Sequence, residues 1–112
     1  GVILYEMLVG KPPFRDETAL GTQARVINWR RTLKIPDECE LSIEAEDLIF
    51  KLCTDAEHRL GADGIKKHAF FRNFDFGPNL RRAKAPYIPI IRHPTDISNF
   101  EPIDLSILEH RQ

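Results

Sequence analysis

The chain has 112 residues, of which 42% are hydrophobic and 29% are charged, and 16 basic against 17 acidic residues give a formal net charge of −1. This length suits one small domain, and the balanced charge gives no reason to expect a nucleic-acid or a membrane partner. No apolar run reaches the roughly 18 residues that a membrane-spanning helix needs. The two cysteines, Cys39 and Cys53, lack the CxxC spacing, so we expect free or buried thiols in a reducing compartment rather than a disulfide.

The first predicted element is an apolar helix that ends at Gly10. Residues 2–9 hold a single charge, Glu6, and a helix that is apolar on nearly every face must be buried in something larger than itself. The run Lys11-Pro12-Pro13-Phe14 cannot continue the helix, because proline lacks the N–H donor and fixes its own φ. We therefore expect this chain to be the downstream part of a larger domain.

Two further helices are predicted between Thr18 and Cys53. Thr18 can cap the first, which runs to about Trp29 with Leu20, Ala24 and Ile27 on one stripe. A loop follows from Arg31 to Leu41, and Ser42 can cap the second helix. The apolar residues of this second helix have the spacing of one buried face: Ala45, Leu48, Ile49, Leu52 and Cys53.

The last part of the chain has weaker signals. We predict a loop over Thr54–Gly64 and a short helical turn over Ile65–His68. We also predict that an aromatic cluster packs against a core, and its members are Phe70, Phe71, Phe74 and Phe76. From Gly77 onward, five prolines and little periodicity predict an extended segment that lies on another surface.

Three segments resemble the C-terminal lobe of a eukaryotic protein kinase. The opening GVILYEMLVGKPPF is similar to the end of the large buried helix of that lobe and the turn after it. The segment from Leu41-Ser42 through Asp55-Ala56-Glu57-His58-Arg59-Leu60-Gly61 is similar to a later helix and the loop that holds the buried arginine of the lobe. The run Ile65-Lys66-Lys67-His68-Ala69-Phe70-Phe71 is similar to the motif that closes the kinase domain, with Ala69 where proline is common.

The segment after Gly77 narrows the resemblance. Tyr87-Ile88-Pro89, followed by His93-Pro94-Thr95-Asp96-Ile97-Ser98-Asn99-Phe100, resembles the C-terminal extension of AGC-type kinases. Within that group, the His-Pro-Thr-Asp run and Val26-Ile27-Asn28-Trp29 resemble the Large tumor suppressor (Warts) kinases of the NDR family.

This resemblance implies a mainly α fold class. Residues 1–71 are expected to form the late part of a protein-kinase C-lobe, and residues 72–112 part of the extended AGC C-terminal tail. The parent protein is expected to be a serine/threonine kinase of Hippo-pathway signalling that uses ATP and Mg²⁺ and acts on protein substrates with upstream basic residues. A MOB-type coactivator is expected to bind regions outside this chain, and the expected location is the cytoplasm, with the nucleus and the centrosome as further sites.

No catalytic residue of phosphoryl transfer can be placed in the chain, so the fragment alone is expected to be inactive and to bind neither ATP nor Mg²⁺. His58-Arg59 resembles the start of the HRD catalytic loop, but Leu60 stands where the aspartate belongs. Asp75-Phe76-Gly77 spells the magnesium-binding triplet, yet it follows the last helix, whereas in kinases that triplet precedes the buried helix. We therefore interpret Asp75 as a turn residue and expect no metal site.

Three residues are candidates for functional contacts, and each has an alternative. Arg59 is interpreted as a structural latch, which the resemblance pairs with the glutamate of an Ala-Pro-Glu motif absent from this chain; the alternative is a solvated surface arginine. The resemblance makes Glu6 a receptor for a basic residue of the substrate, and the alternative is an internal salt bridge. It places Phe100 on the adenine side of the active-site mouth, and the alternative is an anchor that holds the tail on the lobe.

A reading from a different functional class also fits the residues. The chain would then be a non-catalytic helical interaction module, either a pseudokinase remnant or a natural truncation that binds partners. The presence or absence of HRD, DFG and APE motifs upstream of Gly1 discriminates between the two.

Overall fold

The computed structural model describes residues 1–103, and within that range every regular element is helical. Five α-helices are present: α1 (Val2–Val9), α2 (Ala19–Ile27), α3 (Trp29–Thr32), α4 (Ile43–Leu52) and α5 (Ala62–Lys66). Two short 3₁₀ helices follow, Ala69–Phe71 and Leu80–Arg82. The mainly α class expected from the sequence is therefore confirmed for these residues. The end of the predicted C-terminal extension, residues 104–112, lies outside the described range.

Helix α1 ends where the sequence predicts. Gly10 adopts a left-handed conformation with φ of 94°, and its N–H donates to the carbonyl oxygen of Glu6. A residue with a Cβ is strained in this region, so glycine is the residue that ends the helix here. Among residues 1–103, Tyr5 is the one residue of α1 that is buried, and Ile3 and Met7 are each 71% exposed.

The helix predicted from Thr18 to about Trp29 is shorter, and this prediction was wrong at its C-terminal end. Thr18 does cap α2, since its Oγ1 accepts the Gly21 N–H at 3.0 Å. At Asn28 the side-chain amide donates to the Ala24 carbonyl at 3.0 Å, and the backbone there leaves helical geometry. Such local side-chain bonds compete with the helical ladder, so the chain restarts as α3 in a region predicted to become a loop at Arg31.

Helix α4 forms as predicted and carries most of the core. The Ser42 hydroxyl accepts the Ala45 N–H at 3.1 Å, which satisfies one of the free donors of the first turn. Three residues of the predicted face are buried: Ala45, Leu48 and Ile49. Ile49 forms the central cluster with Tyr5 of α1 and with Leu33.

The phenol of Tyr5 fixes the first helix to the segment before α4. Its O–H donates to the carbonyl oxygen of Lys34 at 2.6 Å. Burial is the main reason that the pKa of Tyr5 is raised, with smaller contributions from Cys39 and Glu38. A buried hydroxyl needs such a partner, and this bond lets Tyr5 fill the core without an unsatisfied polar atom.

The turn predicted over Ile65–His68 is a longer helix that starts earlier. Helix α5 begins at Ala62 and runs through Gly64, inside the predicted loop. A Cβ at Gly64 would lie 2.9 Å from Cδ2 of Leu60, so the glycine allows Leu60 to pack directly on the helix backbone. Glycine costs a helix about 1 kcal/mol relative to alanine, and the sequence pattern alone therefore counts Gly64 against a helix here.

The four phenylalanines contact one another, and none of them is fully buried in the core. Phe71 makes edge-to-face contacts with each of the other three, at centroid distances of 4.9, 5.9 and 5.1 Å to Phe70, Phe74 and Phe76. Phe74 and Phe76 are exposed, and Phe70 and Phe71 are half-buried. The predicted cluster is therefore present, but about half of it faces solvent within this chain.

The chain divides into two compact units, Gly1–Phe76 and a second unit that begins at Gly77. The second unit contains the 3₁₀ helix Leu80–Arg82, which the prediction of an extended segment missed. Its described residues are otherwise irregular, with a hydrogen-bonded turn at His93–Asp96. In residues 1–103, no helix has the length and the apolar character needed to cross a bilayer.

Candidate functional site

A groove of about 460 Å³ opens beside the first turn of α1 in the first unit. Its walls come from α1, the turn after it, the α2–α3 region, and the end of α4 with the loop that follows. Apolar atoms dominate the lining, and one side chain carries a charge. The lining residues are Gly1, Val2, Ile3, Phe14, Val26, Trp29, Leu52, Cys53, Thr54 and Arg59.

Close backbone packing forms the floor of this groove. A Cβ at Gly1 would lie 2.5 Å from Sγ of Cys53 and 2.9 Å from Cβ of Leu52. Real side chains do not approach this closely, so glycine at this position lets the start of α1 rest on the end of α4. Burial raises the pKa of the Cys53 thiol, while the nearby guanidinium of Arg59 acts in the opposite direction. The thiol is therefore a packing group rather than an activated nucleophile.

Arg59 supplies the one cation of the groove. Its guanidinium donates to the carbonyl oxygen of Thr54 at 2.9 Å, and the residue is exposed. Among residues 1–103, no carboxylate lies within salt-bridge distance of it. Apolar walls beside a cation without a counter-ion can receive a peptide segment that carries both apolar side chains and a carboxylate.

Arg30 braces one wall of the groove, and the sequence patterns did not reveal it. Its guanidinium lies 4.4 Å from the ring centroid of Trp29, and its Nη2 contacts the two carboxylate oxygens of Asp55 at 2.7 and 2.8 Å. The arginine thus links the start of α3 to the loop that leads to Arg59. Residues 30 and 55 are too far apart in sequence for any spacing rule to pair them.

A hydrogen-bonded group of polar side chains joins α4 to the 3₁₀ helix Ala69–Phe71. The sequence patterns did not predict it. The side chain of His68 is 7% exposed, and its Nε2 lies 2.6 Å from Oδ2 of Asp47. Its Nδ1 accepts the Phe70 N–H at 3.0 Å, so the ring proton sits on Nε2 and is donated to Asp47. Asp47 also contacts Lys51 at 2.9 Å, and the hydrogen bonds from Lys51 and then His68 lower the pKa of that carboxyl.

The other predicted site residues are not among the residues that line the groove. Glu6 is exposed on α1, and no cationic side chain in the described part of the chain forms a salt bridge with it. Phe100 belongs to the second unit, where it is 76% exposed and its N–H donates to the Ile97 carbonyl at 3.0 Å. Asp75 lies between Phe74 and Phe76 of the aromatic cluster. Over residues 1–103, no group of three or more His, Cys, Asp or Glu side chains is arranged to hold a metal ion.

The sequence of the chain is similar to those of several curated kinases. It is 58% identical over 106 residues to "Serine/threonine-protein kinase Warts" of Drosophila melanogaster. The matched residues cover 93% of this chain and 10% of that protein. It is 58% identical over 107 residues to "Serine/threonine-protein kinase LATS1" of Homo sapiens, with the same coverage. To "Serine/threonine-protein kinase CBK1" of Saccharomyces cerevisiae it is 46% identical over 108 residues, which cover 93% of this chain and 14% of that protein. No protein-family model matches the chain.

Proposed function

Because this chain belongs to the NDR/LATS family of AGC-type serine/threonine kinases, as a segment about a tenth the length of the Warts and LATS1 relatives, we propose that it is part of a longer kinase. That parent kinase transfers the γ-phosphoryl group of ATP to serine or threonine hydroxyls of protein substrates, with Mg²⁺ as the metal. The identity of 58% over 93% of the chain is the observation that carries this proposal.

Residues 1–71 are proposed to be the late part of the kinase C-lobe, and residues 72–112 part of the C-terminal extension. The helical architecture and the apolar surface of α1 support this assignment, since Ile3 and Met7 stay largely exposed in the described residues 1–103. A helix of this composition is stabilised only when a larger structure surrounds it.

Arg59 is proposed to be the latch for a segment of the parent that lies outside this chain. The groove supports the proposal because it combines apolar walls with the single unpaired guanidinium described above. A carboxylate that enters this groove would gain a charge-assisted, bidentate partner, and the apolar residues next to it would be removed from water. The latched segment would then be held by both kinds of contact.

Glu6 and Phe100 are proposed to face the substrate and the nucleotide of the parent. Glu6 is an exposed carboxylate on a helix that is otherwise apolar, which leaves it available to a cationic side chain of a substrate. Phe100 is an exposed aromatic ring, which could cover the adenine and exclude water. ATP and Mg²⁺ would be held mainly by residues outside this chain, so the isolated chain is proposed to be inactive.

The pathway, the coactivator and the cellular location of the parent kinase are proposed from the family alone. We propose a role in Hippo-type signalling, a MOB-type coactivator bound outside this chain, and a cytoplasmic location with nuclear or centrosomal fractions. Substrates with a basic residue upstream of the acceptor hydroxyl would suit the charge of Glu6.

The proposal is tested by Arg59→Ala in the parent kinase, assayed with Mg-ATP and a peptide that carries an upstream arginine. We expect kcat/KM to fall by up to about a hundredfold, since loss of an anchor far from the reacting atoms misplaces the substrate-binding segment. The thermal unfolding midpoint should fall as well, because the carboxylate of the latched segment loses its partner.

Arg31→Ala is the matched control, because Arg31 is an exposed arginine of α3 that lies outside the groove lining. It should leave both measurements near the wild-type values. An Arg59→Ala variant with unchanged midpoint and rate would reject the latch. Absence of phosphoryl transfer by the wild-type parent would reject the kinase activity itself.

A further inference from the structure

A tight turn in the second unit presents a threonine at its tip. The Asp96 N–H donates to the His93 carbonyl at 3.0 Å, which places Pro94 and Thr95 at the two central positions. The carboxylate of Asp96 closes the turn on both sides, since it accepts the Arg92 N–H at 3.0 Å and the Ser98 N–H at 2.9 Å.

The hydroxyl of Thr95 is accessible. Thr95 is exposed, and its Oγ1 lies 3.2 Å from Nδ1 of His93, itself an exposed residue two positions away. Neither residue takes part in a helix or in the core. A segment held by a few exposed hydrogen bonds opens at low free energy, so an enzyme can bind this stretch in extended form.

Arg92 lies three residues before Thr95 and is free to be recognised. It is exposed, and no carboxylate of the described residues forms a salt bridge with its guanidinium. In an extended chain three residues span about 10 Å. If an acidic pocket of a kinase binds the guanidinium, the threonine hydroxyl therefore lies at a fixed distance from that pocket.

We propose that Thr95 is a phosphorylation site for an arginine-directed serine/threonine kinase. In the reaction the Thr95 Oγ1 forms a bond to the γ-phosphorus of ATP, and the bond from that phosphorus to the bridging oxygen of the β-phosphate breaks. ADP leaves, and the hydroxyl proton passes to a carboxylate of the modifying kinase. The inference concerns this chain as a substrate and does not depend on the activity of its own parent.

A second threonine in the chain has the same spacing and serves as an internal comparison. Arg15 lies three residues before Thr18, but the Thr18 hydroxyl caps α2 through its bond with the Gly21 N–H. Two acidic residues, Asp16 and Glu17, stand between the arginine and the acceptor. Their charges would be repelled by an acidic arginine-binding pocket, whereas His93 and Pro94 bring no negative charge to the corresponding positions.

Phosphorylation would change the bonds of the turn. A phosphate at Thr95 carries a charge of about −1.5 to −2 at neutral pH. Backbone N–H bonds from Arg92 and then Ser98 lower the pKa of Asp96, so its carboxylate is negatively charged and would be repelled by the phosphate. The guanidinium of Arg92 would be attracted to it. The turn would then be held by the phosphate rather than by Asp96.

The test is phosphorylation of the full 112-residue chain by an added arginine-directed kinase with Mg-ATP, with the modified residues located by tandem mass spectrometry. We expect phosphate on Thr95 as the main product and little on Thr18. Arg92→Ala should lower the rate of Thr95 phosphorylation by about tenfold or more, which corresponds to the loss of one charged contact. Arg81→Ala, a change at another exposed arginine of the same unit, should alter that rate by less than about twofold.

Three results would overturn the proposal. The first is modification mainly at Thr18, and the second is phosphorylation of Thr95 at the wild-type rate in the Arg92→Ala chain. The third is a Thr95→Ala chain that takes up as much phosphate as the wild type. Since the added kinase supplies the activity, none of these outcomes depends on whether the parent protein is itself a kinase.

Discussion

At the scale of single residues, the polar contacts that hold the first unit together link positions far apart in sequence. His68 meets Asp47, and Arg30 meets Asp55, across separations of 21 and 25 residues. The sequence identified His68 only as part of a closing motif, and no sequence pattern singled out Arg30. Periodicity describes neighbours along one element, so it cannot report which charged side chains meet after the chain has folded.

Asp47→Asn should destabilise the parent kinase at neutral pH, since it removes the negative charge that His68 and Lys51 both contact. The folded-state pKa of Asp47 is lowered from 3.8, so its stabilising contribution is fully present above pH 3.8 and is lost as the pH falls through the lower folded value. The variant should therefore lose less stability than the wild type when the pH is lowered through this range. Thermal unfolding midpoints measured against pH check this.

The control for this substitution is Asp37→Asn, at an exposed aspartate in the loop before α4. It should reproduce the wild-type pH profile. If Asp47→Asn also followed that profile, the carboxylate of Asp47 would not contribute to stability.

At the scale of elements, the residues that cap the helix N-termini were predictable, but the last residue of α2 and the first residue of α5 were not. Thr18 and Ser42 cap α2 and α4 as their residue types predict, because a hydroxyl next to free backbone N–H groups needs no distant partner. The end of α2 depends on a bond from the Asn28 amide to Ala24, and the start of α5 depends on Leu60 packing over Gly64. Both are specific contacts that a propensity scale does not contain.

Gly10→Ala should destabilise the protein by about 1 to 2 kcal/mol, since an L-residue in the left-handed region carries this strain. The φ of 94° at Gly10 makes the position sensitive although no atom crowds it. Chemical denaturation of the parent kinase with each variant gives the change in the free energy of unfolding.

Gly61→Ala is the matched control, because Gly61 also has open space around it but has a negative φ of −87°. Alanine adopts this negative φ without strain, so this substitution should destabilise the protein much less than Gly10→Ala does. Equal effects of the two substitutions would mean that the left-handed conformation of Gly10 is not maintained in the protein.

At the scale of the whole chain, the described residues bury a small core. Five hydrophobic residues are buried in residues 1–103: Tyr5, Leu33, Ala45, Leu48 and Ile49. The stripe predicted on α2 is exposed, with Leu20 at 77% and Ile27 at 78%. The sequence indicated which faces are apolar, but it could not indicate which of them find a cover within these residues, since that depends on what else packs there.

The isolated chain should therefore bind a hydrophobic fluorescent dye and self-associate as its concentration rises, because exposed apolar area favours association. Its thermal unfolding should be broad, since a few buried residues give little cooperativity. Dye fluorescence, sedimentation and calorimetry measure these properties. A monomeric chain with one sharp calorimetric transition and no dye binding would contradict the prediction.

The bond between the Tyr5 phenol and the Lys34 carbonyl also decides where this chain can change in length. It fastens one end of the segment between α3 and α4, and the Ser42 hydroxyl fastens the other. Between them, Asp37 and Glu38 are exposed, just after the Pro36 carbonyl that accepts the Cys39 N–H. Extra residues inserted at Asp37–Glu38 would open only the local turn between Pro36 and Cys39 and extend into solvent, whereas the same insertion at Lys34 would shift the carbonyl that Tyr5 needs. An epitope tag or a reporter peptide therefore belongs at Asp37–Glu38.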